Sequence, residues 1–333
     1  MDGSISALQA SPDHIYMAVA VRDENISEIV VMDAAKRTTA ARYHVTHDTT
    51  QLRISSGNEV LVAFKADKLI ATISTVTLLE GKMKAHGTVV TEQPTHYWQV
   101  SLCPTDDELL CVLADNVAFL LRCSSGIIDT FSKIECTGAL CHEWVTDGVL
   151  AFGDENTQIH LFRGTHLLST VDLQAICHEL QYAKQSNIVL LVRSNERLLS
   201  LVDDGLILIF SLVRGEYAWQ FPNAIIMHSS SVPGELGILC QDTSGNNFLY
   251  GDGRFLWKTS LRNADAERTA ELFLVAAKHT HPVISVYCDE SRQTLISLDN
   301  SGFIIVTAAH SQFFFCPHFI LTSQYIGKLT LFL

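Results

Sequence analysis

The feature that most restricts this chain is a strand-rich unit that recurs along it. Three stretches show it openly: "ISALQASPDHIYMAVAVRDENISEIVVMDAAKRT" from Ile5, "WQVSLCPTDDELLCVLADNVAFLLRCSSGIIDTF" from Trp98 and "HPVISVYCDESRQTLISLDNSGFIIVTAAH" from His281. Each opens with a short β-rich strand, turns into a second apolar strand, and turns again into a third. In the first two, proline marks the first turn, at Ser11-Pro12-Asp13 and Pro104-Thr105-Asp106. Residues 141–162, "CHEWVTDGVLAFGDENTQIHLF", have the same form, with Trp144-Val145-Thr146-Asp147-Gly148 at the first turn. Pro12 to Pro104 is about two units and Pro104 to Asp147 about one, which implies a period of ~40–50 residues. More worn copies lie at 60–74, 187–216 and 234–259.

The strands read as apolar on both faces, as in "LLCVLADNVAFLLR" and "LILIFSLV". A sheet with one wet face alternates, whereas sheets packed between neighbours give near-continuous apolar runs. Turns such as Asp242-Thr243-Ser244-Gly245-Asn246 and Asp299-Asn300-Ser301-Gly302 supply residues that tolerate positive φ. The polar gaps are too short for the crossovers that a parallel sheet needs. Only 262–279 reads as helical, and its second half reads equally well as a strand. The expected fold is all-β, a WD40-like β-propeller of about seven four-stranded blades. It is expected to span 1–312, with 313–333 as a partial further blade or a C-terminal strand segment. Strand-like sequence runs up to both termini, so the chain reads as a fragment or an incomplete propeller.

The composition fits a large core: 47% of the 333 residues are hydrophobic and 18% charged, which excludes a disordered chain. A net charge of −13 argues against nucleic acid or an anionic membrane as partner and for a neutral or basic protein surface. Nine cysteines, at 103, 111, 123, 136, 141, 177, 240, 288 and 316, form no Cys-x-x-Cys pair and lie mostly in apolar runs. That pattern suits a reducing compartment, hence the cytoplasm. The N-terminus has no secretory signal pattern, so the sequon Asn25-Ile26-Ser27 carries little weight. The apolar end, 313–333, is interrupted by Pro317, His318, Gln324 and Lys328 and reads as strands at Phe319-Ile320-Leu321 and Leu329-Thr330-Leu331-Phe332, not as a membrane span.

Each candidate for chemistry has a stronger structural reading. Cys141-His142 pairs a thiol with an imidazole, but neighbours on a strand point to opposite faces. His44-x-x-His47 with Asp48, and His279-x-His281, have ligand-like spacing without the third or fourth ligand zinc needs. Asp203-Asp204-Gly205 reads as a hairpin turn. Gly251-Asp252-Gly253 lacks the third glycine of a dinucleotide loop. Trp98, Trp144, Trp219 and Trp257 read as packing residues, with one of the four on a binding rim. The expectation is no catalytic, cofactor-binding or metal residue.

On these residues the chain resembles the cilia- and flagella-associated WD-repeat proteins. The order "WQVSLCP…DELLCVL…NVAFLLR" followed by "LCHEWVTDGVLAFGDENTQIHLFRG" is similar to their N-terminal propeller, best over 97–164 and fairly over 4–35. The chain departs from that pattern in having no Trp-Asp dipeptide and no Gly-His pair. The resemblance implies a non-enzymatic scaffold in the axoneme of a cilium or flagellum, associated with inner dynein arms or their tethers. The acidic charge would route attachment through such proteins rather than the acidic microtubule surface. Two other readings stand beside it: a cytoplasmic WD40 adaptor in trafficking or ubiquitin transfer, and, less favoured, an enzyme on a propeller.

Overall fold

The computed structural model describes residues 4–176 apart from 14, 24, 25, 34, 35, 37 and 147; from 187 onward it describes the backbone of the strands, a few side chains and His281. The described chain is all-β save for one four-residue helix, α1 (Leu173–Ile176). Its strands follow one another as antiparallel meanders. The first is β1 (Ser4–Ala10), β2 (Tyr16–Asp23), β3 (Ile26–Asp33) and β4 (Thr38–Val45). Next come β5 (Gln51–Ile54), β6 (Val60–Ala66), β7 (Ile70–Thr77) and β8 (Met83–Val90), then β9 (Trp98–Cys103), β10 (Asp106–Ala114), β11 (Val117–Ser124) and β12 (Ile127–Glu135). The fourth is β13 (Ala139–Thr146), β14 (Val149–Asp154), β15 (Gln158–Arg163) and β16 (His166–Asp172). Beyond α1 lie β17 (Ile188–Ser194), β18 (Arg197–Val202), β19 (Leu206–Ser211) and β20 (Gln220–His228), followed by β21 (Leu236–Gln241), β22 (Asn247–Asp252), β23 (Phe255–Ser260) and β24 (Leu272–Ala276). The last are β25 (Val283–Asp289), β26 (Thr294–Asp299), β27 (Ile304–Ala308) and β28 (Pro317–Leu321). The stretch read as helical thus contains β24, and the rest of 262–279 lies outside the described residues.

The core explains the doubly apolar strands. Leu61 and Ala63 of β6 pack toward the first meander, with Ile29 and Val31. Val62 and Phe64, on the other face of the same strand, pack toward Val100 and Val112 of the third. Phe152 and Trp144 of the fourth meander close on Leu113 and Leu120, while Cys141 and Ala151 meet Ile188 and Leu191 of β17. The second, third and fourth meanders are each a slice between two others, and a large side chain fully buried there contributes about 1.5–3 kcal/mol.

The sheets do not all stay separate, and this corrects the expectation of independent four-stranded blades. β5–β12 form one eight-stranded sheet in the order β5-β6-β7-β8-β12-β11-β10-β9. The joint is a single parallel pairing, Ile127 with His86, and the His86 N–H donates to Gly126 O at 3.1 Å. Gly87 makes this approach possible: a Cβ there would lie 2.4 Å from the Ile128 carbonyl oxygen and 2.7 Å from its Cβ. The outer strands also carry bulges. Phe131 in β12 is the extra residue between the pairs Leu120–Ser132 and Leu121–Thr130, and Lys84 holds the same place in β8. A bulge twists an edge away from further pairing.

Candidate functional site: the inner strands and their rim

The opening strand of each meander touches that of the next. Contacts run β1 to β5, β9, β13, β17, β21 and β25, and β25 returns to β1. Polar side chains tie these inner strands together. The Gln51 amide donates to Trp98 O at 2.7 Å and accepts from the Val100 N–H at 3.2 Å. Gln99 repeats the device one step on: it donates to His142 O at 3.2 Å and accepts from the His142 N–H at 2.9 Å. A glutamine amide carries donor and acceptor side by side, so it can close on a strand's exposed backbone groups as a further strand would.

Cys141 and His142 sit within this arrangement and face apart. Cys141 is 0% exposed, its Sγ 3.3 Å from Ile188 O, and burial pushes its thiol far up from the ordinary range. Such a thiol is not a nucleophile. His142, also 0% exposed, shares a 2.6 Å hydrogen bond with Ser101 Oγ through Nε2 and stacks on Phe152 with ring centroids 5.8 Å apart. Burial, and secondarily the charge of Arg53, lower its pKa to about 3. Ser101–His142 has the spacing of a nucleophile and its base, but both residues are buried between two meanders.

The other candidates disperse. His44 is exposed, whereas His47 is buried, bonded through Nε2 to Ser74 Oγ at 3.0 Å and through Nδ1 to Asp48 O at 3.1 Å. The carboxylate of Asp48 pairs with Arg22 Nε at 3.0 Å. His281 is exposed; His279, Asp203-Asp204-Gly205, Gly253, Trp219 and Asn25 lie outside the described residues. Gly251 and Asp252 end β22, and Trp257 lies in β23. Ser27 is buried, its hydroxyl accepting the Thr49 N–H at 2.7 Å. Trp98 donates through Nε1 to Asp67 O at 2.8 Å, and Trp144 is buried. Cys103, Cys111, Cys123, Cys136 and Cys141 are free thiols. Among the described residues no group of three His, Cys, Asp or Glu could hold a metal, and no helix is long and apolar enough to cross a membrane.

One rim of the inner strands is a hydrogen-bonded belt. Thr95 N donates to Lys68 O at 2.6 Å and Thr91 N to Leu69 O at 2.9 Å. Asp115 accepts the N–H groups of His96 at 3.0 Å and Tyr97 at 2.9 Å. Cys136 N donates to Asn116 O at 2.9 Å, Glu155 N to Gly138 O at 3.0 Å and Leu173 N to Thr157 O at 3.1 Å. The anchor residues repeat. Asp67 and Asp115 follow, and Asp154 ends, the second strand of their meanders, and each accepts backbone N–H groups. In the sequence Asp23, Asp203, Asp252 and Asp299 occupy the same place in the other meanders. Burial raises the Asp154 carboxyl, but bonds from His160, Gln158 and Asn156 outweigh it and hold the pKa below the ordinary value. On this belt stand exposed apolar side chains: Leu69, Ile70, Tyr97 and, at 60% exposure, Val90.

No protein-family profile matches the sequence, and no characterised protein does. Solved structures do. The chain is similar to the β-propeller domain of Cps50 (Swd1) from Myceliophteria thermophila, with a TM-score of 0.67 and 12% identity over 91% of this chain and 96% of that one. The fold is that of a β-propeller. A computationally designed protein, Ika8, is also similar, with a TM-score of 0.55 and 12% identity over 92% of this chain and 96% of that one. At this identity the likeness concerns the propeller fold alone. The belt therefore runs along one end of the propeller.

Proposed function

We propose that this propeller is a non-enzymatic scaffold that binds protein partners at the belted rim. The observation that carries the reading is the set Leu69, Ile70, Val90 and Tyr97, apolar and exposed on turns that backbone hydrogen bonds hold in place. Rigid turns that expose apolar side chains bind with little ordering cost. Seven blades, one per meander, fit the closed contact path of the inner strands and the seven aspartates at second-strand ends. Within 313–333, β28 pairs with β27. That pairing favours reading 313–333 as a C-terminal strand segment rather than a further blade.

The sequence resemblance over 97–164 supports a finer version, in which the partners are dynein-arm or tether components of an axoneme. A cytoplasmic adaptor in trafficking or ubiquitin transfer uses the same rim. The test is proximity labelling in ciliated cells by the full chain and by its Ile70→Asp/Val90→Asp variant. Axonemal proteins labelled by the first and lost from the second support the ciliary scaffold. Trafficking or ubiquitin-transfer factors lost in the same way support the adaptor. Identical labelling by both chains refutes the rim as the binding surface.

A further inference from the structure

Two histidines meet on one serine between the first two meanders. His47 lies in the connection from β4 to β5, and its Nε2 is 3.0 Å from Ser74 Oγ on β7. The same oxygen is 3.0 Å from Nδ1 of His86, which stands opposite Ser74 in the β7–β8 pairing. The ring centroids of the two histidines are 6.5 Å apart. Ser74 is 0% exposed and His47 8%, whereas His86 is exposed. These contacts fix where the protons are. His47 Nδ1 lies 3.1 Å from Asp48 O, and a carbonyl only accepts, so Nδ1 carries the hydrogen. Nε2 of a neutral His47 is then an acceptor and takes the one hydroxyl proton of Ser74, which leaves His86 Nδ1 to donate to Ser74 Oγ. The connection is also tied on both sides. Asp48 pairs with Arg22 of β2 at 3.0 Å and Thr49 N donates to Ser27 Oγ of β3 at 2.7 Å, both in the first meander. Thr50 N donates to Phe64 O of β6, in the second, at 2.7 Å.

We propose that His47, Ser74 and His86 form a proton-operated clasp, which releases the β4–β5 connection from the second meander when both rings are charged. A first proton, taken from solvent at Nε2 of the exposed His86, leaves every hydrogen bond of the chain in place. So does its transfer inward: the His86 Nδ1 proton passes to Ser74, the Ser74 proton passes to His47 Nε2, and the chain reverses direction. A second proton does not fit. His47 Nε2–H and His86 Nδ1–H then both point at Ser74 Oγ, and the buried hydroxyl proton must turn away from both rings. Two like charges also face each other across the serine. Lys65 of β6 adds to the repulsion, and the Asp48 carboxylate, which opposes it, is engaged by Arg22. Burial, the largest influence, holds the His47 pKa below its ordinary value despite the bond to Asp48 O, and the charges of His86 and Lys65 lower it further. The folded-state value is depressed, so the clasp is closed above the ordinary pKa of about 6.5 and opens as the pH falls below it. The ties to Arg22 and Ser27 stay, so the connection parts from the second meander alone. The clasp is a device of the fold and does not depend on what binds the rim.

The test is NMR on the full chain. Imidazole nitrogen shifts at pH 7.5 should show His47 with its hydrogen on Nδ1 and His86 likewise. Amide hydrogen exchange, corrected for the intrinsic effect of pH, should show the protection of Thr50 falling roughly tenfold or more between pH 7.5 and 5.0, since each unit below a pKa is a factor of about ten. Thr49, bonded to the first meander, should keep its protection. His86→Gln removes the second charge, and the glutamine amide serves Ser74 as donor or acceptor, so Thr50 protection in this variant should stay flat over the same interval. His142 titrates in both chains, so the comparison cancels its effect. The tautomers and the wild-type exchange decide the matter by themselves if His86→Gln does not fold. A hydrogen on Nε2 of His47 at pH 7.5, Thr50 protection unchanged between the two pH values, an equal fall in His86→Gln, or a loss at Thr49 as large as at Thr50 would each overturn the proposal.

Discussion

Mild acid should destabilise this protein through His142. In the folded chain its pKa is about 3, against an ordinary 6.5, because the ring is buried between two meanders and the charge of Arg53 lies near. The folded-state value is depressed, so between these two values the unfolded chain binds a proton that the folded chain refuses. The resulting stability is complete above about pH 6.5 and drains away as the pH falls through the window toward about 3. At pH 5, about 1.5 units below the ordinary value, the loss is about 2 kcal/mol at ~1.4 kcal/mol per unit. That is a substantial part of the ~5–15 kcal/mol that holds a domain together. Urea unfolding of wild type and His142→Gln at pH 7.5 and 5.0 isolates it, because His47 and the carboxylates titrate in both chains. Wild type should lose about 2 kcal/mol more than the variant over this interval. Parallel losses, within ~0.5 kcal/mol, would show that the imidazole is not held neutral by burial and would refute the reasoning.

Three further outcomes are expected. Gly87→Val should cost about 1–3 kcal/mol by overpacking and speed hydrogen exchange at the His86 amide, where the two meanders join; an unchanged melting point would contradict the close approach of Ile128. Asp115→Ala should cost about 2–3 kcal/mol, because it removes the acceptor for the His96 and Tyr97 amides at a residue whose φ is 45°, while Asp115→Asn should recover most of the loss in thermal melts. Site-resolved mass spectrometry of thiol labelling should find Cys123 the first of the five described cysteines to react, with Cys141 protected until unfolding; early labelling of Cys141 would count against its burial.

The sequence alone determined the class of fold. Apolar runs on both faces of short strands, broken by Asp-, Gly- and Pro-bearing turns at a regular period, leave little but sheets stacked face to face, and the repeat was visible from Ile5, Trp98 and His281. The aspartate that ends or follows each second strand was also in the sequence. It passed as ordinary turn chemistry because one aspartate at a turn carries no information until strand ends align all seven. The opposite facing of Cys141 and His142 follows from strand geometry alone, since neighbours on a strand alternate. What only the tertiary structure decided involves residues far apart in the chain. A glycine in a strand reads as a weak spot, and only the arrival of Ile128 shows Gly87 to be a joint. Gln51 and Gln99 are unremarkable until a neighbouring strand's backbone stands within reach of their amides. Arg53 reads as one of 23 scattered basic residues, and only the folded chain brings Gln9 of β1 to its guanidinium. Periodicity is a local property that each segment carries by itself, whereas the partners of a side chain are set by how those segments close on one another.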